Sequence, residues 1–328
     1  MHNDKRQFHR GTAHACVAIF AALMLALPAE AQQYPTRPIR IVVPFAPGTA
    51  TDNLVRPIAD LMAVELKQPV VIDNRVGAVG KIAAEHVAKS APDGYTVLAG
   101  ATTVIAANPA LFKQLPYNPR TDFDPVVGLG TIPQVIVVNP GIPASTMAEF
   151  VAYAKQNAGK LFYGSGTAGN IIPSRVLSDR LGLGMTNVSY KSPPQALTDV
   201  IAGRLAMMAA DASAVIGHVK SGAVRPLAVT SARESPILPG VPPLADTLPG
   251  FELIVFFGLY TPKGTDSAII QSLYTAARNA AEREDVKRRL AVQGFEIRTS
   301  TPAELGALSA REIDKWAELV REAKIEQE

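Results

Sequence analysis

IRIVVPFAPGTATD, residues 39–52, holds a strand, a break and a helix start in immediate succession. Ile39 to Val43 is an apolar run of strand type, and Pro44, Pro47 and Gly48 break it. Thr51 and Asp52 then open a stripe of Leu54, Ile58, Leu61, Met62 and Leu66 at helical spacing. A strand that turns through Pro and Gly into a helix leaves backbone N–H groups unpaired at the positive end of the helix dipole. Such a turn is ready for an anion. The same residues also describe an ordinary strand-to-helix turn with a Thr cap, so the choice falls to the rest of the chain.

Upstream, Lys5, Arg6 and Arg10 precede an apolar run from Ala15 to Leu27, followed by Pro28 and Ala29-Glu30-Ala31. A basic segment, a short apolar segment and a small-x-small triplet read as a secretory signal over residues 1–31. The run is too short to span a bilayer, although a processed membrane anchor has a similar look. The one cysteine, Cys16, lies at the front of the run, which argues against a lipid-bearing Cys. Its removal leaves a chain with neither disulfides nor thiolate chemistry. Export without disulfides fits a bacterial periplasm. A chain of 328 residues with formal net charge +3 predicts two domains with ample core. It carries no basic run, so nucleic acid is not an expected partner.

Downstream, strands are expected at 70–72 and 95–100 with a helix at 79–90 between them, the alternation of βαβ units. Residues 126–138 are long for one strand, and Ile132-Pro133 is expected to divide them. Past Pro140 the alternation restarts, with helices at 146–157, 171–182, 194–202 and 212–221. Strands near 161–163, 186–190, 205–209 and 226–230 fall between and after them. A proline-rich connector (234–250), an apolar strand (253–260) and two amphipathic helices carrying Ile269 to Ala277 and Ile313 to Val320 complete the chain.

Gly164-Ser165-Gly166-Thr167-Ala168-Gly169 matches G-x-G-x-x-G between a strand and a helix. The next strand ends in Lys191, Ser192 and two prolines, not in the acid that would hold a ribose hydroxyl, so a dinucleotide site is disfavoured. What remains is a second anion-ready loop, with Ser165, Thr167 and Asn170 as side-chain donors. Ser165 as a nucleophile needs a base. Only His86 and His218 lie beyond residue 31, and both sit on predicted helices, His86 expected in solvent beside Glu85. These two, without cysteine, make none of the usual zinc sets, and no acids pair for general acid–base work. Neither enzyme activity, cofactor nor metal is expected.

The chain resembles the periplasmic solute receptors of the tripartite tricarboxylate transporters, the Bug receptors. The resemblance rests on YPTRPIRIVVPFAPG at 34–48, DNRVGAVG at 73–80, APDGYTVL at 91–98, NPALFKQLPYNP at 108–119 and VNPGIPASTMAEFV at 138–151. It continues with GKLFYGSGTAG at 159–169, SYKSPPQALTDVIAGR at 189–204, VRPLAVTSARESPILPGVP at 224–242 and FFGLYTPKGT at 256–265. It implies an α/β, two-domain periplasmic-binding-protein fold of type II-like form, with the ligand in the cleft between the domains. Domain 1 is expected at 32–131 plus 251–328, and domain 2 at 132–250. In these receptors a ligand carboxylate is held largely by backbone N–H groups and ordered waters of the two loops derived above.

The ligand-binding residues nominated on this basis are Phe45, Ala46, Pro47, Gly48, Thr49, Thr51 and Asp52 in the first loop, with Thr102 after the third strand. The second loop adds Ser165, Gly166, Thr167, Gly169 and Asn170, and Asp211 falls where the family usually has Asn. Arg56 and Arg75 are not needed for affinity on this scheme. The chain departs from the family pattern at Ala46, Thr49, Val76, Val79, Ile171 to Pro173, Ala206, Ala210 and Asp211. Asp211 would either repel an acidic ligand, accept a hydrogen bond from an ammonium or hydroxyl, or cap the helix at 212–221. Expected partners are a small organic carboxylate and a membrane permease, the receptor acting as a monomer. A same-fold receptor that presents its ligand to a sensor kinase has the same sequence signature; an exported hydrolase using Ser165 lacks its base.

Overall fold

The structure is a computed structural model and describes residues 34–322 and 325–327. The export signal read at 1–31, with Cys16, lies outside the described residues. Strand β1 (Ile39–Val43) is central to a parallel trio with β2 (Val70–Asn74) and β3 (Thr96–Ala101). Its burial is nearly continuous, as an apolar run with neighbours on both edges requires. Helix α1 (Ala50–Leu66) links β1 to β2, and α2 (Lys81–Ala88) links β2 to β3. After β3 the chain winds through a π-helical turn, Thr103–Ala107, into the short α3 (Asn108–Leu111).

β4 (Phe123–Val138) is a single strand of sixteen residues, not two. Pro133 does not break it, because its missing N–H falls where the strand changes partners. Up to Pro133, β4 pairs with β9 (Ile254–Pro262); from Gln134 it pairs with β7 (Met207–Asp211) and, for the most part, with β8 (Arg225–Val229). A proline is tolerated in a strand where no ladder bond is asked of it. β4 thus belongs to both halves of a sheet whose strands run β2-β1-β3-β9-β4-β7-β5-β6.

The second half repeats the βαβ theme. β5 (Phe162–Ser165) pairs in parallel with β6 (Thr186–Ser189) and with β7. Helix α4 (Met147–Gln156), expected at 146–157, opens on a capping box between Thr146 and Glu149. Helices α5 (Ala168–Arg180) and α6 (Pro193–Ile201) follow β5 and β6, and α7 (Ala212–Lys220) follows β7.

The chain then returns through β9 to α8 (Ser267–Glu282), α9 (Glu284–Ala291), β10 (Glu296–Ser300) and α10 (Pro302–Glu322). The sequence reading had neither α9 nor β10. Residues 296–300 are polar and only partly buried, so they carry no apolar strand pattern, and β10 exists because β4 offers it an edge. Helix α10 buries Trp316 completely and packs on β4 and the π-helical turn, while α1 packs on α8. Among the described residues no helix is long and apolar enough to cross a membrane.

Candidate functional site

The first loop is held by its own helix. Gly48 takes a positive φ of 81°, which turns the chain sharply. Its N–H donates to the Asp52 carboxylate at 3.0 Å. Thr49 Oγ1 donates back to the Ala46 carbonyl at 2.8 Å and so does not cap the helix. Asp52 is 2% exposed and also accepts from Arg56 and from Asn74 Nδ2. Burial pushes its pKa up, but the bonds from Arg56, Asn74 and Gly48 outweigh that and hold the carboxyl below the ordinary range. With Gly48 and Thr49 engaged inward, the N–H groups of Ala50 and Thr51 open the helix with no acceptor among the described residues.

The second loop presents the same arrangement from the other half of the sheet. Thr167 precedes α5 in extended conformation, and its carbonyl takes the N–H groups of Asn170 and Ile171. The N–H groups of Ala168 and Gly169 are left as the free donors of that helix start. Asn170 is buried; its Nδ2 donates to the Ala209 carbonyl while its Oδ1 accepts from Thr167 Oγ1. Ser165 Oγ, 1% exposed, donates to Asn187 Oδ1 at 2.8 Å. Gly166 packs so closely on Ser192 and Pro193 that a side chain there would meet backbone at 2.4 Å.

Between the loops lies a cleft with an empty volume of about 340 Å³. Phe45, Thr49, Thr51, Thr167, Gly169 and Asp211, all nominated from sequence, line it. Gly48 lines an adjoining recess that shares Thr49, Ala50, Pro193 and Asp211 with the cleft. The other nominated residues do not line either space. Asp52, Ser165 and Asn170 are spent on the scaffold as described, and Ala46 and Gly166 shape the turns. Pro47 belongs to the first turn without lining the cleft. Thr102 is turned away, its Oγ1 accepting from Phe256 N at 2.8 Å, and its neighbour Thr103 lines the cleft instead.

Of the floor, Asp211 was nominated from sequence and Gln134 was not. Gln134 and Asp211 are paired across β4 and β7, and Gln134 Nε2 donates to Asp211 Oδ1 at 3.1 Å. Gln134 is 1% exposed, and its Oε1 has no partner among the described residues. Asp211 stands at the start of α7 but its side chain makes no cap bond. Its carboxyl lies deep in the fold while keeping some contact with the cleft interior, and burial pushes its pKa up to about 6 despite the Gln134 bond. Val255 and Phe257 of β9 form an apolar wall. A Gln within a β-branched strand carries no motif; only the register beside Asp211 would have singled it out.

Arg56 and Arg75 stay outside the cleft, bound to Asp52 and Asp73. His86 is part-buried rather than in solvent, and burial together with Arg75 lowers its pKa. Among the described residues no three His, Cys, Asp or Glu side chains are grouped to hold a metal.

A two-lobed α/β fold with long strands shared between the halves defines the class of periplasmic binding proteins. Solved members align over most of the chain. An R. palustris protein with adipate is 32% identical with a TM-score of 0.87, covering 90% of this chain and all of the other. MatC from Rhodopseudomonas palustris with bound malate is 31% identical with a TM-score of 0.83, covering 88% of this chain and all of the other. BugT of Bordetella pertussis is 34% identical over 94% of this chain and 96% of its own. The model of the tripartite tricarboxylate transporter family receptor matches residues 54–325. The chain belongs to that family.

Proposed function

We propose that the protein is a periplasmic receptor that captures a small carboxylate in the cleft and hands it to the membrane permease of a tripartite transporter, itself performing no chemistry and working as a monomer. The observation that carries this reading is the convergence of two helix starts, at Ala50 and Ala168, whose free N–H groups border one cleft. The adipate and malate of two related structures are both carboxylates.

The energetics are adequate. A Kd near 1 μM corresponds to about −8 kcal/mol. Each N–H bond to a carboxylate contributes roughly 1.5–3 kcal/mol, and each helix start about 0.3–1 kcal/mol more. Four backbone donors therefore cover the requirement before the cost of association is deducted. The absence of a base beside Ser165, whose hydroxyl is held by Asn187, supports a receptor over a hydrolase. On this reading the domains divide near 131/132 and 250/251. The change of β4 partners at Pro133 and the start of β9 at Ile254 support that division.

A thermal-shift screen against aliphatic, aromatic and amino carboxylates tests the proposal. Ligand at a hundredfold excess over Kd stabilises the folded state by about 2.7 kcal/mol, seen as a clear rise in Tm. No rise with any carboxylate at millimolar concentration would remove the reading.

A further inference from the structure

We propose that the carboxylate this cleft takes also carries an ammonium group, and that the ammonium is held between Asp211 and the side-chain oxygen of Gln134. The inference rests on the carboxylate-receptor reading and narrows it to aminocarboxylates.

The cleft is polar in a directional way. Its loop side carries the open N–H groups at the starts of α1 and α5, together with threonine hydroxyls. Its floor offers acceptors. The amide nitrogen of Gln134 must face Asp211, since a carboxylate accepts and cannot donate. That fixes the amide so that Oε1 points away from the carboxylate, buried and without a partner. Asp211 Oδ2 likewise receives no bond from any described residue, Oδ1 being the atom that Gln134 serves. A buried acceptor and one that reaches the cleft thus stand open side by side, and the buried one is costly until a donor arrives.

Charge decides which donor. Asp211 is the only ionisable side chain among the residues that line the cleft and its recess. Gln134 of β4, Thr49 of the first loop and Pro193 of α6, which share the cleft with it, are uncharged, and no cation is paired with it among the described residues. A buried carboxylate without a counter-ion is compensated best by a cation, and an ammonium brings a charge and up to three N–H donors at once. A hydroxyl satisfies one acceptor and leaves the charge. A second carboxylate on the ligand places like charge beside Asp211.

The two ends are close. A methyl group on Gly169, at the donor end, would stand 3.3 Å from Gln134 Nε2 and 3.9 Å from Thr103 Oγ1. A short ligand therefore spans them, with few bonds between carboxylate and ammonium.

Titration calorimetry at pH 7.5 against matched pairs tests this: aspartate with malate, 3-aminopropanoate with succinate, 4-aminobutanoate with glutarate, and alanine with lactate. The expected result is that an aminocarboxylate binds at least tenfold tighter than its partner, and that Asp211→Asn reduces this preference at least tenfold. Gln134→Leu, which removes the open amide oxygen, is expected to weaken the aminocarboxylate severalfold and its partner less, with circular dichroism verifying the fold of both variants. Tighter binding of the dicarboxylates or hydroxy acids by the unaltered protein, or a preference unmoved by Asp211→Asn, overturns the ammonium site while leaving the carboxylate reading intact. Binding of no member of any pair overturns both.

Discussion

Asp52 accepts the backbone N–H of Gly48, four residues before it, at 3.0 Å, and so closes the first loop of the cleft onto the helix that follows. The same carboxylate receives Arg56 and Asn74, and Asn74 in turn donates to the Phe45 carbonyl. One buried acid therefore fixes both ends of the turn that aims Ala50 and Thr51 into the cleft.

Asp52→Asn is expected to destabilise the protein by about 2 kcal/mol, the range for losing hydrogen bonds to a charged group. The folded-state pKa of Asp52 is depressed, so its contribution is present above the unfolded pKa near 4 and is lost as pH falls further. Urea titrations of both proteins from pH 7 down to pH 3 should show the difference shrinking with acid. A gap that does not depend on pH would mean that the charge is not what holds the loop.

Asp211 has the opposite sign. Its folded-state pKa, near 6, lies above the ordinary value of 3.8, so the folded state binds the extra proton and loses stability as pH rises between the two. Asp211→Asn removes that loss and is expected to make the ligand-free protein more stable by about 1–3 kcal/mol at pH 7.5, with little difference near pH 4. Thermal unfolding at the two pH values checks it, and a variant less stable at pH 7.5 contradicts it.

Val79 sits at φ 56°, a conformation that a β-branched residue adopts only at a cost, between Gly77 and Gly80 in the loop before α2. Asn108 Nδ2 donates to its carbonyl and helps to hold it there. Val79→Gly relieves strain of about 1–3 kcal/mol and adds back less in chain entropy, so a net gain of about 1 kcal/mol is expected. Equilibrium unfolding measures it; a loss of stability would show that the Val side chain contributes more by packing than its backbone costs.

Two glycines of the cleft loops should respond differently to the same change. At Gly48 a methyl group meets nothing within 4 Å, and only the positive φ opposes it, so Gly48→Ala should cost about 1–2 kcal/mol. At Gly166 the methyl meets the backbone of Ser192 and Pro193 at 2.4 Å, so Gly166→Ala forces α6 outward and should cost about 1–3 kcal/mol and also displace a wall of the cleft. Ligand affinity separates the two, falling more in the Gly166 variant relative to its loss of stability. Equal losses of affinity would place the first loop's backbone geometry on the same footing as the wall.

The elements with strong local signals were legible in the residues. β1 with its Pro-Gly break and the apolar stripes of α1 and α8 each carry their period or break within a short stretch of chain. So do the two turns that leave helix N–H groups open, because Gly, Pro and Thr state backbone conformation locally. Residues 296–300 were not legible as a strand, since polar, half-exposed residues become one only when an edge is offered. The division expected at Pro133 failed for a related reason: a proline ends a strand only where a ladder bond is demanded, and β4 changes partners there.

For the cleft, the residues alone located the two loops that leave helix N–H groups open, because unpaired N–H groups at a helix start follow from the turn that begins it. Which residues of those loops turn inward was decided by tertiary contacts. Asp52, Ser165, Asn170 and Thr102 have the chemistry of site residues, yet each is engaged by a neighbour: Arg56, Asn187, Ala209 and Phe256. Gln134 has no local signal at all. It meets Asp211 through strand register, 77 residues apart in the chain, and pairing at that distance is a property of the assembled sheet.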